Sequence, residues 1–482
     1  MGELHKLLAL AIALVMVSQC NGFLQQNPFS LLWPSEPAVS EPSLHFSTLD
    51  PDKHPINLYQ YTNTTVIRIK YDTQDQLVQY LKAIPKDYGI WSKSASAKTI
   101  DLQLSTVDYL KLLAKFDDMD YQILVEDLAQ TVFETFPENH QETINTEENS
   151  EFKYKATEEV IRETKANVFS ELFFKDYRPL ETIEAWLDII QQSFPGVVKV
   201  EEIGKTFEGR PYNIVHVSDH SVDDHSEKKT IVINGGIHAR EWISVSSVCY
   251  QIYSMLNVYM TQPEILQELD FIFVPLSNPD GYEYTWSTDR LWRKNRQTTI
   301  LPRCYGIDID HSYDFHWTKS SDWPCGEEYS GEHPYEAVEA QIWEDYLNKT
   351  NAHHEIYGYI DLHSYSEEIL FPFAYSCSSE PRDEENLIEL AYGISKAIRL
   401  QSGKFYNVLP ACQDKDSDLL PDLGSGTSLD FMYHNKAFWA YQLKLRDTGN
   451  HGFLLPPKFI EPVGAEIFAG IQYFIKFITE DD

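Results

Sequence analysis

The chain has 482 residues, 43% of them hydrophobic and 13% aromatic, and its 74 acidic against 39 basic side chains leave a formal net charge of -35. That excess of acid excludes nucleic acid as the partner, because phosphate binding needs a basic face. The apolar content excludes wholesale disorder, and the length sets an expectation of two to three domains. The acid is unevenly spread: thirteen Asp and Glu against two Lys between Asp117 and Glu159 give that segment a net charge of -11. A local run of this kind reads as a solvated linker or helix face.

In chain order, Met1 to Lys6 is followed by an eleven-residue apolar run from Leu7 to Val17 and then by small and polar residues to Gly22. A basic start, a short apolar core and a small-residue cut site predict a secretory signal peptide over 1–22. A membrane anchor would need about 18 apolar residues, and no later stretch supplies them. Residues 23–56 are rich in Pro, Ser and Gln without sustained periodicity and read as a flexible lead-in.

Residues 57–130 read as a small module. Val66, Ile67 and Ile69 suggest a strand, and Leu77, Tyr80, Leu81 and Ile84 recur at helical spacing. Gly89 to Trp91 and the alternating Ile100, Leu102 and Leu104 suggest two more strands. Ser105 with Asp108 resembles a capping box for a helix through Lys115, and Tyr121, Ile123 and Val125 alternate again. The order is βαββαβ, a ferredoxin-like pattern. Residues 131–172 form the acidic connector. From 173 to 482, strand-like runs (Thr230 to Asn234, Phe271 to Pro275, Tyr357 to Leu362, Phe438 to Leu445) alternate with helical ones, which predicts one large α/β domain.

Cys20 leaves with the signal, so five cysteines remain in a compartment that permits disulfides. Cys304 and Cys325 close a 21-residue interval, Cys377 and Cys412 are a candidate second pair, and Cys249 in an apolar helical pattern reads as a buried thiol. The sequons at Asn63 and Asn348 are glycan candidates.

The apolar strand Ile231 to Ile233 runs into Asn234-Gly-Gly-Ile-His238-Ala-Arg-Glu241. His and Glu three apart at a strand-to-helix turn can aim an imidazole and a carboxylate at one cation, which suits Zn²⁺. The bare spacing is weak evidence, since His333 and Glu336 share it in a polar loop. A third candidate, His363, ends another apolar strand, and the tips of neighbouring parallel strands are where open α/β sheets gather ligands.

Five segments carry a family resemblance: Gly236-Ile-His-Ala-Arg-Glu-Trp-Ile243, Asn278-Pro-Asp-Gly-Tyr282, Arg290-Leu-Trp-Arg-Lys294, His363-Ser-Tyr-Ser366 and Leu445-Arg-Asp-Thr-Gly449. In order and spacing they resemble the signature blocks of the zinc carboxypeptidase A/B family, and the βαββαβ module resembles that family's propeptide domain. The resemblance implies a mixed central sheet flanked by helices and one Zn²⁺ per chain, held by His238, Glu241 and His363 with a fourth position open to water. It further implies that Arg293 polarises a scissile carbonyl and that Arg240 is an outer substrate arginine. Ser364, Tyr365 and Phe453 fall among the substrate positions, and Cys304 pairs with Cys325.

The same resemblance exposes missing chemistry. Hydrolysis of a C-terminal peptide bond needs a carboxylate to move the water proton and a cationic clamp for the substrate's carboxylate. At the family's general-base position, immediately before the Leu445 block, stands Lys444. The clamp position, Asn-Arg in the family, reads Asp310-His311, and a gapless count places Asp422 where the family has a mobile substrate tyrosine. Loss of the base alone costs about 10²- to 10⁴-fold in rate. An ammonium beside Zn²⁺ requires an acidic partner, Asp310 or Asp422, or a lowered pKa.

The expectation is therefore a catalytically inactive, zinc-binding homologue of secretory, secreted or vacuolar location. It is closest to the fungal inactive subgroup linked to cell wall organisation and biogenesis, and its ligand is an unidentified protein or peptide. No adjacent basic pair lies between Glu126 and Pro179, so the propeptide is expected to stay on the cleft unless cut after Arg162 or Lys165. Two alternatives stand beside this reading: an active enzyme of altered specificity with a neutral Lys444 as base, and a non-catalytic binding module for a basic ligand.

Overall fold

The computed structural model describes residues 56–84, 88–94, 97–137, 172–220, 228–350, 355–413 and 425–480. The expected signal peptide, the lead-in as far as residue 55, the connector from 138 to 171 with Arg162 and Lys165, and Asp422 lie outside the described residues.

The alternating apolar residues near the N-terminus build a four-stranded sheet from β1 (Thr64–Lys70), β2 (Gly89–Ser94), β3 (Thr99–Ser105) and β4 (Tyr121–Val125), in the order β2-β3-β1-β4. Every neighbouring pair is antiparallel. Helices Gln74–Leu81 and Thr106–Lys115 complete the ferredoxin-like βαββαβ arrangement that the periodicity predicts. Ser105 caps the second helix, accepting from the Asp108 amide at 3.1 Å. The core joins Ile67, Ile69, Leu77, Tyr80, Ile100, Leu102 and Leu112. The last strand departs from expectation, because Val125 is buried while Tyr121 and Ile123 are exposed. β4 is an edge strand, and its register with β1 shifts between Val66 and Ile67, so the alternation breaks there. One further helix, Leu128–Glu134, runs past the expected boundary at 130. It is capped by Asp127, which accepts from the Gln130 amide at 3.1 Å, and it leads into the buried Phe136.

The larger sheet has eight strands: β5 (Val198–Lys205), β6 (Pro211–Val217), β7 (Lys229–Gly235), β8 (Leu269–Val274), β9 (Glu355–Ser364), β10 (Glu368–Phe371), β11 (Asn407–Pro410) and β12 (Trp439–Leu445). Their order is β11-β10-β12-β9-β7-β8-β6-β5. The central strands β12, β9, β7 and β8 are mutually parallel, and β10, β6 and β5 bring antiparallel pairing, so the sheet is mixed. The central strands are buried almost throughout, and they are rich in apolar residues because both faces are covered. Helices Trp242–Thr261 and Ile460–Glu480 pack together, and the first of them lies on β7, β8 and β9. The module and this domain belong to one compact unit.

Disulfides join Cys304 to Cys325 and Cys377 to Cys412, and Cys249 is a buried free thiol. Among the described residues no helix is long and apolar enough to cross a membrane.

One interior acid makes stability depend on pH. Glu339 is buried, and its Oε2 accepts from Asn295 Nδ2 at 2.7 Å. Burial pushes its carboxyl up from 4.5 to about 7. The folded chain therefore binds the proton more tightly than the unfolded chain, so stability falls as pH rises from about 4.5 to 7 and is flat above. The full penalty is on the order of 3 kcal/mol. Melting temperature is expected to be higher at pH 5.5 than at 7.5. Glu339→Gln should flatten that difference, and a difference unchanged by the substitution would remove Glu339 as its source.

Candidate metal centre and its cleft

Parallel pairing of β7 with β9 sets Asn234 beside Asp361 and Gly235 beside Leu362, so the residues just beyond both strand ends converge. The chain leaves β7 through Gly236 and delivers His238 and Glu241 before the helix at Trp242 begins. Glu241 occupies the N-cap position, but its side chain makes no cap bond, which leaves its carboxylate free for the site. The Ser244 hydroxyl fastens the turn instead, accepting from the Gly236 amide at 3.0 Å and donating to the Glu241 carbonyl at 2.8 Å.

The three candidate ligands meet. His238 Nδ1 lies 2.8 Å from Glu241 Oε1, His363 Nδ1 lies 3.1 Å from Glu241 Oε2, and the two Nδ1 atoms are 3.2 Å apart. A tetrahedral Zn²⁺ with bonds of about 2.0 to 2.2 Å spaces neighbouring donors by roughly 3.3 Å. Two imidazoles and a carboxylate so spaced fit that ion and leave one position open. The outer nitrogens face carboxylates: His238 Nε2 is 3.3 Å from Asp308 Oδ1, and His363 Nε2 is 3.4 Å from Asp361 Oδ2. Of the two, the His238 contact is a hydrogen bond, and a bond of that kind fixes the ring orientation and raises the basicity of the ligating nitrogen. Burial pushes the Glu241 carboxyl up, but the two imidazoles outweigh it and hold the group below the usual carboxylate range. At Asp308, burial is likewise outweighed by Arg293 and His238.

Arg293 donates through Nε and Nη2 to Asp308 Oδ2 at 3.2 and 2.8 Å. Arg240 donates to Glu327 Oε1 at 3.1 Å, and its guanidinium sits 4.2 Å from the Phe453 ring centre. Asp310 accepts from the Ser428 hydroxyl at 2.7 Å, and the same hydroxyl lies 2.8 Å from Asp361 Oδ2. Lys444, on β12, pairs in register with His363 of β9 on one side and with Glu368 of β10 on the other. His333 and Glu336, the rival spacing, stay outside: His333 is exposed and Glu336 accepts from the Glu332 amide.

A cavity of about 190 Å³ opens on these groups. Four cations (Lys93, Arg240, Arg293, Lys444) and four acids (Glu241, Asp310, Glu327, Glu328) line it, together with His311, Ser364, Tyr365 and Phe453. The formal charge of that wall is balanced before any metal enters. Asp308, Asp361, Glu368, Ser428 and the Glu327–Glu328 pair carried no role in the sequence reading. The Asp361-x-His363 spacing on one strand was the available signal, because period two puts both side chains on one face.

The profile of the family described as zinc carboxypeptidase matches residues 183–470. The protein named inactive metallocarboxypeptidase ECM14 from Saccharomyces cerevisiae is 47% identical over 426 residues, covering 88% of this chain and 93% of that protein. Its namesake from Sclerotinia sclerotiorum is 38% identical over 444 residues, covering 88% of this chain and 74% of that protein. Among solved structures, thrombin activatable fibrinolysis inhibitor superposes with a TM-score of 0.72 at 24% identity, covering 88% of this chain and all of the other. That likeness concerns the fold alone.

If Asp308 orients the His238 ring, Asp308→Asn is expected to weaken Zn²⁺ retention about 10- to 100-fold in competition with a chelator. Retention equal to that of the parent would place the orienting contact elsewhere.

Proposed function

The chain belongs to the zinc carboxypeptidase family, and from that premise we propose that it is a metal-holding, non-hydrolytic member whose cleft binds a protein or peptide. His238, Glu241 and His363 hold one Zn²⁺ in this reading. When bound, the ion supplies Lewis acidity and lowers the pKa of a coordinated water. What supports the loss of turnover is the identity of the group beside the donors. Lys444 stands next to His363, where proton transfer from water to a leaving amine calls for a carboxylate, and an ammonium cannot accept that proton.

The substrate end of the cleft points the same way. An arginine grips a carboxylate through two parallel N–H bonds, whereas the Asp310 carboxylate repels it and His311 offers a single ring edge. Arg293 keeps its charge through Asp308 and would still face a carbonyl, and Arg240 stays at the outer rim, so recognition can outlast hydrolysis. The balance of four cations and four acids on the wall supports an internally neutralised site: Asp310 lines the same cavity as Lys444, and Glu368 pairs with Lys444 in backbone register. The names of the relatives, each an inactive metallocarboxypeptidase, agree with this reading.

The remaining assignments rest on the sequence and on its resemblance to the fungal inactive subgroup. They are passage through the secretory pathway to the cell exterior or vacuole, a part in cell wall organisation and biogenesis, and glycans on Asn63 and Asn348. Both asparagines are exposed. The N-terminal module stays on the cleft as a retained propeptide.

A reversion series tests the proposal, assayed on the whole chain and after removal of the module. The parent is expected to show no C-terminal peptidase activity. Lys444→Glu combined with Asp310→Asn and His311→Arg should gain at least about 10²-fold over background. Zinc-dependent turnover by the parent, abolished by chelation, would overturn the reading in favour of an active enzyme of altered specificity.

A further inference from the structure

We propose that the inner end of the cleft recognises an uncharged primary carboxamide in place of a carboxylate. The ligand is then a peptide that presents either an amidated C-terminus or an Asn or Gln side chain. The inference rests on the reading of the cleft as a non-hydrolytic peptide site, and it names the chemistry that the site selects.

Asp310 sets the first half of the recognition. It lines the cavity while keeping only 5% of its surface exposed. Its Oδ1 accepts from the Ser428 hydroxyl at 2.7 Å and from the Ser428 amide at 3.3 Å, at the start of the helix Ser428–Asn435. Two donors and the positive end of a helix favour the ionised carboxylate. Oδ2 takes part in neither bond, which leaves it for the cavity. An ionised carboxylate only accepts, so the group that meets it must bring an N–H, an O–H or a positive charge.

The surrounding charges decide among the candidates. A terminal carboxylate would meet Asp310 with like charge and with no hydrogen between them. An ammonium would suit Asp310, but it would share the cavity with Lys444 and Arg293 and with the seat of a divalent ion, all of which repel it. A neutral N–H donor meets neither repulsion.

β12 supplies the second half. Alternate residues of a strand share a face, so Gln442 reaches the cavity together with Lys444. The Gln442 side chain is half-buried, and no other described residue engages its amide. The fold brings it to the Asp310 end. β10 pairs Leu370 with Gln442, and just beyond β10 the Ala374 amide donates at 2.7 Å to Asp430 of the helix that also binds Asp310. Ala374 and Thr427, the cap of that helix, line the same cavity. A primary carboxamide carries the complement of both halves: an N–H for Asp310, and an N–H and a C=O for Gln442.

The test uses the full chain and pools of N-acetylated tripeptides, with retention read by equilibrium dialysis and mass spectrometry. Two pools lack Asn and Gln and differ only in ending, a free carboxylate or a primary carboxamide; a third ends in Gln with a free carboxylate. The carboxamide pool is expected to bind about 10- to 100-fold more tightly than the free acids, the range for a hydrogen bond to a charged group. Binding by the third pool assigns the amide to a side chain, and binding by the amidated pool assigns it to the terminus; either supports the proposal. Gln442→Leu should weaken carboxamide binding about 10-fold without changing that of the acids. Asp310→Asn with His311→Arg should reverse the preference. Free acids without Asn or Gln that bind as tightly as the amides, or retention of no pool, overturn the proposal. If such acids bind and remain uncut, the non-hydrolytic reading stands and the ligand class alone falls; if they are cut, both fall.

Discussion

The register of β9 with its neighbours sets the chemistry of the cleft. Pairing with β7 brings the turn that carries His238 and Glu241 alongside the end of β9, and pairing with β12 sets Lys444 beside His363. A slip of one residue would turn each side chain to the opposite face. His363, Asp361 and Lys444 are therefore fixed together by the strand ladder, and the turn that carries His238 and Glu241 is brought to them by the end of β7. Because these central strands are covered on both faces, the apolar core holds that register.

Charge acts on two scales. The chain as a whole is strongly acidic, yet the cleft wall balances its cations and acids one for one. That local parity matters more than the global excess for groups such as Glu241 and Asp310, since surface charges are screened over about 8 to 10 Å in physiological salt while buried ones are screened much less. Lys444 on β12 stands in register with Glu368 of β10 and lines one cavity with Asp310 of the 3₁₀ turn Ile309–His311.

Features that depend on neighbours along the chain were legible in the sequence. His238 and Glu241 announced themselves by spacing, Ser105 by its position before a helical pattern, and β7, β8, β9 and β12 by runs rich in apolar residues. Features that depend on sheet order were not. β5, with its row of charges, and β6, which begins at Pro211, gave no strand signal because they lie toward the sheet's edge. Glu368 faces Lys444 only through the antiparallel pairing of β10 with β12, and no linear pattern encodes that. Asp308 looked like one more loop acid until the fold set it between His238 and Arg293. Phe136 lay at the margin of an acidic connector, and its aromatic surroundings come from residues more than a hundred positions away.

The loop from Leu445 to Phe453 serves two structures at once. Its first residue follows Lys444 on the strand beside the metal donors, and its two glycines leave room for Arg68 and Trp91 of the module. Change in this stretch is thereby constrained: a side chain acquired at 449 or 452 perturbs the seat of the module. Such double duty narrows the neutral paths open to the sequence. A lineage released from selection for turnover would still be held to this loop by the need to seat its own N-terminal module.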